Sequence, residues 1–264
     1  MLKTRNTLQN KKIFIQIGAG AGDQDIRSGC RDGFTEYIKS LNSFEIDRIL
    51  LVEPNPLNLE NLRNCWSNYP QAEIYEIGIV PPHHGDKITF YYAEEDAPNY
   101  QVFSMNRQHV EKHYPFGSIL SIDVPTETLE SFLSKNVGNH LIELIAMDVE
   151  GIDAEIMMSS NWELINCNRI SFEYIHLKDK LSEINCKLWA AGFVYKGAGL
   201  DVNGFDLMYK KSARTLINYF RTKAMLLKIF SFRLKDFFYQ IALNVYRFLR
   251  IKKIRNILKG KKVC

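Results

Sequence analysis

The sequence predicts an α/β fold built on a mostly parallel, Rossmann-like sheet that ends in a reversed strand. Three observations predict it. Short apolar runs alternate with helix-like stretches, which is typical of a parallel sheet covered on both faces. Glycines follow the first apolar run, and a single carboxylate, Glu53, ends the second. The last two runs are joined by a short glycine-containing connection, which predicts a hairpin with an antiparallel final strand.

The individual elements follow from this alternation. The predicted strands are 13–17, 48–52, 73–77, 142–147, 169–174, 192–196 and 204–209. The predicted helices are 31–42, 56–68, 127–135, 153–160 and 178–191. Residues 79–118 interrupt the pattern with two prolines, two histidines and a strand-like stretch at 87–93. They predict an inserted hairpin and loop over the edge where a ligand would bind.

Length and composition bound the architecture. With 264 residues and 46% hydrophobic content, the chain can form one α/β domain with an appendage. We divide it into an N-terminal extension (1–12), a domain (13–211) and a tail (212–264). Its five scattered cysteines lack Cys-x-x-Cys spacing and predict reduced thiols in a cytoplasmic protein. The basic N-terminus lacks the apolar region of a secretory signal.

The glycines and the acid that follow the first two strands predict a nucleoside cofactor. Gly18, Gly20 and Gly22 would let the backbone approach a ligand, and Glu53 would accept hydrogen bonds from ribose hydroxyls. The spacing of these glycines departs from the dinucleotide-binding fingerprint, which has a glycine at the position of Asp23. A carboxylate at the helix entrance repels pyrophosphate but suits a cationic ligand such as S-adenosylmethionine. A P-loop is excluded, because no Gly-Lys-Ser/Thr follows.

Further polar residues follow two later strands. Asp148 and Glu150 come directly after the strand 142–147, and Glu173 and His176 end the strand that follows. Ligands of open α/β sheets bind at this edge, so the four residues should converge near the cofactor.

Several motifs together resemble the FkbM-type S-adenosylmethionine-dependent methyltransferases. The resemblance covers about residues 12–210, and its most specific part is Asp148-Val149-Glu150-Gly151. The other matching segments are 17–22, 52–56, 128–130 and 172–173. It implies a class I methyltransferase fold, with Glu53 on the ribose, residues 18–22 under the methionine moiety and Asp148 beside the transferred methyl. Departures are Gln16, where an acid is frequent, and Glu130, where Asp is usual.

The sequence therefore predicts two sets of site residues and no metal. Candidate catalytic residues are Asp148, His176, Glu150 and Glu173, with Asp148 or His176 as the base and the two glutamates binding or orienting. Candidate cofactor-binding residues are Gln16, Gly18, Ala19, Gly20, Gly22, Asp23, Glu53, Pro54, Asn55, Gly78 and Asp148. Alternatives stay open: Glu150 could cap the next helix, His176 could be structural, and the four rim residues could bind a divalent cation.

The tail differs in charge from the rest of the chain. Residues 211–264 hold 15 Lys and Arg against one acid, Asp236, which gives a net charge of +14. The remaining 19 basic and 29 acidic residues give the first 210 positions a net charge of −10. Apolar residues recur every three or four positions in the tail, which predicts an amphipathic helix. We expect residues 214–259 to bind an anionic membrane surface. The tail could instead pack on protein or bind nucleic acid. Of these two alternatives, we do not expect nucleic-acid binding.

These patterns together predict an S-adenosylmethionine-dependent O-methyltransferase. Its acceptor would be a hydroxyl of a sugar, glycan or related small molecule, since the resembled family mostly methylates such groups. The basic tail would place it on the cytoplasmic membrane face, where lipid-linked polysaccharide precursors are built. The rival hypothesis is a non-catalytic or weakly active adaptor that keeps the fold and docks through its tail. The sequence predicts neither the identity of the acceptor nor the oligomeric state.

Overall fold

The computed structural model describes residues 11–23, 32–97, 102–149, 151–201 and 204–231, with only the backbone at 176, 178 and 179. The chain divides into two compact units, Met1–Arg214 and Thr215–Cys264. The first unit contains the sheets, and the second contains the basic tail.

Regular elements alternate along the first unit, as the apolar runs predict. The strands are β1 (Lys12–Ile17), β2 (Ile46–Val52), β3 (Ala72–Tyr75), β4 (Gly78–Ile79), β5 (Lys87–Ala93), β6 (Ile119–Glu127), β7 (Ile142–Met147), β8 (Arg169–Glu173), β9 (Phe193–Ala198) and β10 (Asp206–Lys211). The helices are α1 (Gly33–Ser40), α2 (Leu59–Trp66), α3 (Arg107–His113), α4 (Leu129–Asn136), α5 (Asp153–Ser159) and α6 (Leu181–Ala190). A 3-10 helix at Ile175–Lys180 precedes α6.

The main sheet has the predicted Rossmann-like architecture. Within the described ranges its strand order is β3–β2–β1–β7–β8–β10–β9. The first five strands of this order run parallel, whereas β10 is antiparallel to both β8 and β9. The carboxyl ends of β1, β2, β7 and β8 therefore lie along one edge, which we call the carboxyl edge. This arrangement confirms the mostly parallel sheet and its antiparallel last strand.

A second, smaller sheet accommodates the segment that breaks the alternation. β5 and β6 pair antiparallel along their length, and β4 runs parallel to the far end of β6. The strand predicted at 87–93 is present, but it pairs with β6, which lies outside the predicted insertion 79–118 and was missing from the sequence prediction. β6 contains Pro125, and four of its nine residues are exposed, so it lacks a continuous apolar run. Phe90, Phe103 and Val124 form a small core for this sheet.

Helices α1 and α2 pack against the strands that form the carboxyl edge. Their shared core consists of Phe14, Ile49, Leu51 and Leu144 from the sheet with Phe34, Ile38, Leu62 and Trp66 from the helices. Burial of such large apolar side chains is the main stabilising contribution to this layer. It fixes the helices that flank the glycine turn.

The first residues of helix α1 are fixed by an N-cap hydrogen bond and by a close main-chain contact. Asp32 is its N-cap and accepts a hydrogen bond from the main-chain N–H of Thr35. Gly33, the first helical residue, lies against the β9–β10 connection, because a Cβ there would come 1.7 Å from the carbonyl oxygen of Leu200. The start of α1 and the final hairpin are thus in direct main-chain contact.

The second unit contains a helix over residues 216–231 within the described range. Thr222 and Met225 are buried on it, whereas Leu216, Phe220, Leu227 and Phe230 are exposed. Residues three, four or seven apart share a helix face, so the exposed apolar side chains form one stripe opposite the buried pair. Within the described residues, no helix combines the length and apolar character needed to cross a membrane. The rest of the predicted tail helix, 232–259, lies outside the described residues.

Gly33→Ala should destabilise the protein, because the new methyl group has no space beside Leu200. We expect a loss of about 1–3 kcal/mol in the free energy of unfolding, the usual cost of overpacking. Urea unfolding followed by circular dichroism measures it. Gly85→Ala is the matched control, since a Cβ there meets nothing within 4 Å. Equal midpoints for the two variants would contradict the close contact.

Candidate functional site

The turn after β1 is held against two neighbouring strands. The main-chain N–H groups of Gly18 and Ala19 both donate to the carbonyl oxygen of Val52, at 2.9 and 3.0 Å. A Cβ on Gly18 would lie 1.7 Å from the carbonyl oxygen of Asp148. Only glycine can therefore occupy this position. Positive φ angles occur at Gly18, Gly20 and Gly22.

Glu53 connects this turn to the end of β2. Its side chain is buried, with only 4% of the residue exposed. One carboxylate oxygen accepts from the main-chain N–H of Gly20 at 2.6 Å, and the other accepts from that of Asn55 at 2.9 Å. The acid predicted to bind a ribose thus also holds the glycine turn in place.

The pKa of the Glu53 carboxyl group lies near neutral pH. Burial raises its pKa to about 7, and hydrogen bonds from Asn55, Gly20 and the Asn58 side chain partly oppose this rise. A carboxylate has about four acceptor positions; main-chain N–H groups use two of them and the Asn58 side chain uses a third. Glu53 consequently retains capacity for one hydroxyl donor of a bound nucleoside.

Gln16 and Asp32 form a second polar pair at the same edge. The Gln16 amide nitrogen donates to Asp32 at 3.1 Å, while the other Asp32 oxygen accepts from Thr35. The buried Gln16 amide oxygen has no hydrogen-bond partner among the described residues. Burial raises the pKa of Asp32, opposed by its hydrogen bonds from Thr35 and Gln16. The unused oxygen backed by a carboxylate suits an ammonium donor, such as that of the methionine moiety.

Asp23 lies elsewhere than the sequence predicts. α1 begins at Gly33, so the carboxylate at the helix entrance is Asp32, nine residues later. Asp23 instead pairs with Lys39 at 2.7 Å, and its main-chain N–H lies 3.5 Å from the Cys65 sulfur. Because Lys39 compensates its charge, Asp23 repels an anionic ligand less than predicted. Burial raises the pKa of Cys65 to about 11, so this thiol stays protonated.

Asp148 and Glu173 occupy corresponding positions at the ends of adjacent strands. β7 and β8 are paired in register up to Met147 and Phe172, so these acids are the next residues on each chain. Parallel strands lie about 4.8 Å apart, and register neighbours point to the same face. The main-chain N–H of Asp148 also donates to the Ile17 carbonyl at 2.9 Å. The two predicted catalytic acids thus follow the last paired residues of adjacent strands, and the main chain of Asp148 lies against the glycine turn.

Asp153 is a buried carboxylate that the sequence prediction did not single out. It is the first residue of α5, and one of its oxygens accepts from the main-chain N–H of Val149 at 3.3 Å. Burial raises its pKa to about 6, opposed by main-chain hydrogen bonds from Val149 and Gly151. Asp153 therefore shapes the turn that presents Asp148. Asp153 begins a short helix and follows Ile152, and no motif in the sequence marks it as a site residue.

The structure describes some of the remaining predicted site residues and leaves others undescribed. Asn55 is buried, and its side-chain nitrogen has no hydrogen-bond partner among the described residues. Gly78 opens β4 shortly after Tyr75, whose carbonyl accepts from the Glu53 main-chain N–H. Pro54 links Glu53 to Asn55 at the end of β2. The structure does not describe Glu150 or the side chain of His176, so their predicted roles stay predictions.

A family comparison decides the class of protein. The family described as "Methyltransferase FkbM domain" matches residues 16–195, which is more than half of the chain. The chain belongs to the FkbM methyltransferase family. The match confirms the predicted enzyme class, a methyltransferase, and the predicted cofactor, S-adenosylmethionine. It spans β1 to β9, and so includes the glycine turn, Glu53, Asp148 and Glu173.

Solved structures resemble this FkbM methyltransferase only distantly. Human methyltransferase 10 domain-containing protein is 11% identical, with a TM-score of 0.42 over 81% of this chain and 76% of its own. An rRNA methylase from Streptococcus thermophilus is 10% identical, with a TM-score of 0.40 over 77% and 89%. Aeropyrum pernix fibrillarin with natively bound S-adenosyl-L-methionine is 10% identical, with a TM-score of 0.39 over 77% and 67%. None of the curated proteins matches the chain in sequence.

The residues at the carboxyl edge fit S-adenosylmethionine. Glu53 has unused acceptor capacity for the ribose, and the Gln16 amide oxygen is a buried acceptor without a partner. In the glycine turn, a Cβ on Gly20 would meet nothing within 4 Å, so space is open at this position. We therefore retain the predicted cofactor-binding set and add Asp32 to it.

Nucleoside binding should strengthen with pH because a ribose hydroxyl donates to ionised Glu53. With a pKa of about 7 in the free protein, Glu53 is mostly protonated at pH 6 and mostly ionised at pH 8. Affinity for 5′-methylthioadenosine, which lacks a titrating amino group, should rise about tenfold over this range. Calorimetry in two buffers of different ionisation enthalpy should detect proton release. In Glu53→Gln the pH dependence should vanish; a flat wild-type profile would contradict the assignment.

Asp32→Asn should weaken binding of S-adenosylmethionine by about ten- to a hundredfold, the worth of a charged hydrogen bond. Asn remains a good N-cap, so the melting temperature should change little. The new amide would also donate to Gln16 and turn its unused oxygen away from the ligand. Binding of 5′-methylthioadenosine, which has no ammonium group, serves as the control and should be unchanged. Equal losses for both ligands would argue against an ammonium site.

Proposed function

We propose that this FkbM methyltransferase transfers the methyl group to a hydroxyl of a sugar, glycan or related small molecule. The observation that supports the proposal is the register of β7 and β8, in which Asp148 and Glu173 follow the last paired residues, with the main chain of Asp148 against Gly18. Methyl transfer to an alcohol needs a group that accepts the hydroxyl proton and groups that orient a polar acceptor. Adjacent carboxylates provide both, and carboxylates are common partners of sugar hydroxyls.

The chemistry divides between cofactor and chain. When bound, S-adenosylmethionine supplies a methyl group already activated on a sulfonium. Asp148 would accept the proton of the acceptor hydroxyl. At the same time the hydroxyl oxygen would bond to the methyl carbon, and the bond between that carbon and the sulfur would break. Glu173 would hold a neighbouring hydroxyl and so align the attacking oxygen. Two close carboxylates repel each other, and uptake of the proton by Asp148 relieves that repulsion.

Asp148→Asn should lower kcat by about 10²- to 10⁴-fold, the usual contribution of a general base. Methyl-labelled S-adenosylmethionine and a panel of nucleotide sugars and free glycans provide the assay. Label should appear in base-stable methyl ethers. Glu163→Gln, at an exposed acid after α5, is the control.

Three outcomes would contradict the proposal. Undiminished transfer by Asp148→Asn would remove the assigned base. Label in esters or amines would exclude an ether-forming enzyme. Tight cofactor binding without transfer to any hydroxyl in the panel would favour the adaptor hypothesis.

We also propose that the tail holds the enzyme on an anionic membrane surface. The apolar stripe of helix 216–231 is exposed, with 76% of Leu216 and 69% of Leu227 accessible. Arg221, Lys223 and Lys228 lie on the same helix, within the segment of net charge +14. A helix with exposed bulky apolar residues and many cations suits the boundary between lipid headgroups and acyl chains.

Phe220→Ser combined with Leu227→Ser should abolish or strongly reduce binding to vesicles that contain phosphatidylglycerol. The loss follows from removing the apolar residues that would insert, and co-sedimentation of the full chain measures it. Phe44→Ser with Leu164→Ser removes two apolar residues of the first unit that are at least as exposed, and is the matched control. Equal binding by both double variants, or equal binding to neutral vesicles, would argue against the anchor.

A further inference from the structure

Two adjacent histidines and a glutamate come together outside the carboxyl-edge site. His83 and His84 lie in the connection between β4 and β5, and Glu155 lies in the first turn of α5. One oxygen of Glu155 is 3.5 Å from Nε2 of His83 and 3.8 Å from Nε2 of His84. The centroids of the two imidazole rings are 4.2 Å apart. Two segments more than 70 residues apart in sequence thus direct three possible ligand atoms to one place.

The distances are those of ligands around a metal rather than of a hydrogen-bonded pair. Hydrogen bonds between such groups measure about 2.7–3.2 Å, and both contacts are longer. Tetrahedral ligands at about 2.0–2.1 Å from a zinc ion lie about 3.4 Å from one another. One ligand atom from each residue lies within 4.8 Å of both others. Small side-chain rotations would therefore bring all three onto one ion.

The histidine connection is held rigidly at both of its ends. The main-chain N–H of Val80 donates to the Glu127 carbonyl at 2.9 Å, and the Thr126 hydroxyl donates to the Gly85 carbonyl at 2.7 Å. Pro81 and Pro82 fix the backbone just before the histidines. A short segment anchored in this way loses little conformational entropy when it binds a ligand.

We propose that His83, His84 and Glu155 form a binding site for a first-row divalent transition metal of the zinc class. Two imidazole nitrogens and one carboxylate oxygen suit Zn²⁺, Co²⁺ or Ni²⁺, whereas Mg²⁺ and Ca²⁺ prefer oxygen ligands. His83 and Glu155 are largely exposed, so water completes the coordination. The bound ion joins the β4–β5 connection to α5, the helix that follows the Asp148 turn. It is separate from the four rim residues considered for a cation from sequence.

Titration of the metal-free full chain with Co²⁺ tests the site directly. We expect one equivalent to bind with visible d–d absorption, to be displaced by Zn²⁺, and to raise the melting temperature. Loss of an outer-sphere partner alone lowers metal affinity by about 10–100-fold. His83→Ala combined with His84→Ala should therefore lower it by more than about a hundredfold, and Glu155→Gln by at least about tenfold.

A second histidine pair provides the matched control. His109 and His113 on α3 have ring centroids 4.8 Å apart, and His109→Ala with His113→Ala should leave Co²⁺ binding unchanged. The melting temperatures of the metal-free variants show that each one folds. Absence of Co²⁺ binding by the wild type would overturn the proposal. So would undiminished binding by the His83→Ala, His84→Ala variant, or loss of binding in the α3 control.

Discussion

The contact between Gly18 and the main chain of Asp148 is the constraint on which the site depends. β1 lies between β2 and β7, and its turn touches both neighbours. Gly18 approaches the Asp148 carbonyl so closely that no side chain fits, while its N–H donates to Val52. The glycine turn, the end of β2 and the start of the segment that begins at Asp148 are consequently held together by main-chain contacts. Every other residue of the carboxyl edge is positioned relative to these three segments.

Buried carboxylates arrange that edge by serving two purposes at once. Glu53 holds the glycine turn yet keeps an acceptor position for a ligand, and Asp32 caps α1 yet supports Gln16. Asp153 shapes the turn that carries Asp148. Burial disfavours the charged form of each, and hydrogen bonds from main-chain N–H groups partly restore it. The same groups therefore contribute to the fold and adjust the electrostatics of the site.

Local sequence patterns predict some of these features and miss others for physical reasons. The main sheet was predictable because buried parallel strands are continuous apolar runs. Glu53 and Asp148 were predictable because each is the first polar residue after such a run. β6 was missed because its pattern is half exposed and contains Pro125. Asp32 and Asp153 were missed as site residues because their importance comes from contacts with Gln16 and Val149, which tertiary structure alone creates.

The small sheet of β4, β5 and β6 has a consequence for how such enzymes diverge. It has its own core of Phe90, Phe103 and Val124, distinct from the core under the glycine turn. Substitutions in this small core are therefore expected to leave the packing under the glycine turn largely undisturbed. The length and surface of the β5–β6 part of this sheet can therefore change while the packing under the glycine turn is kept. The fold thus gives two parts of the domain separate packing, so substitutions in one are tolerated independently of the other.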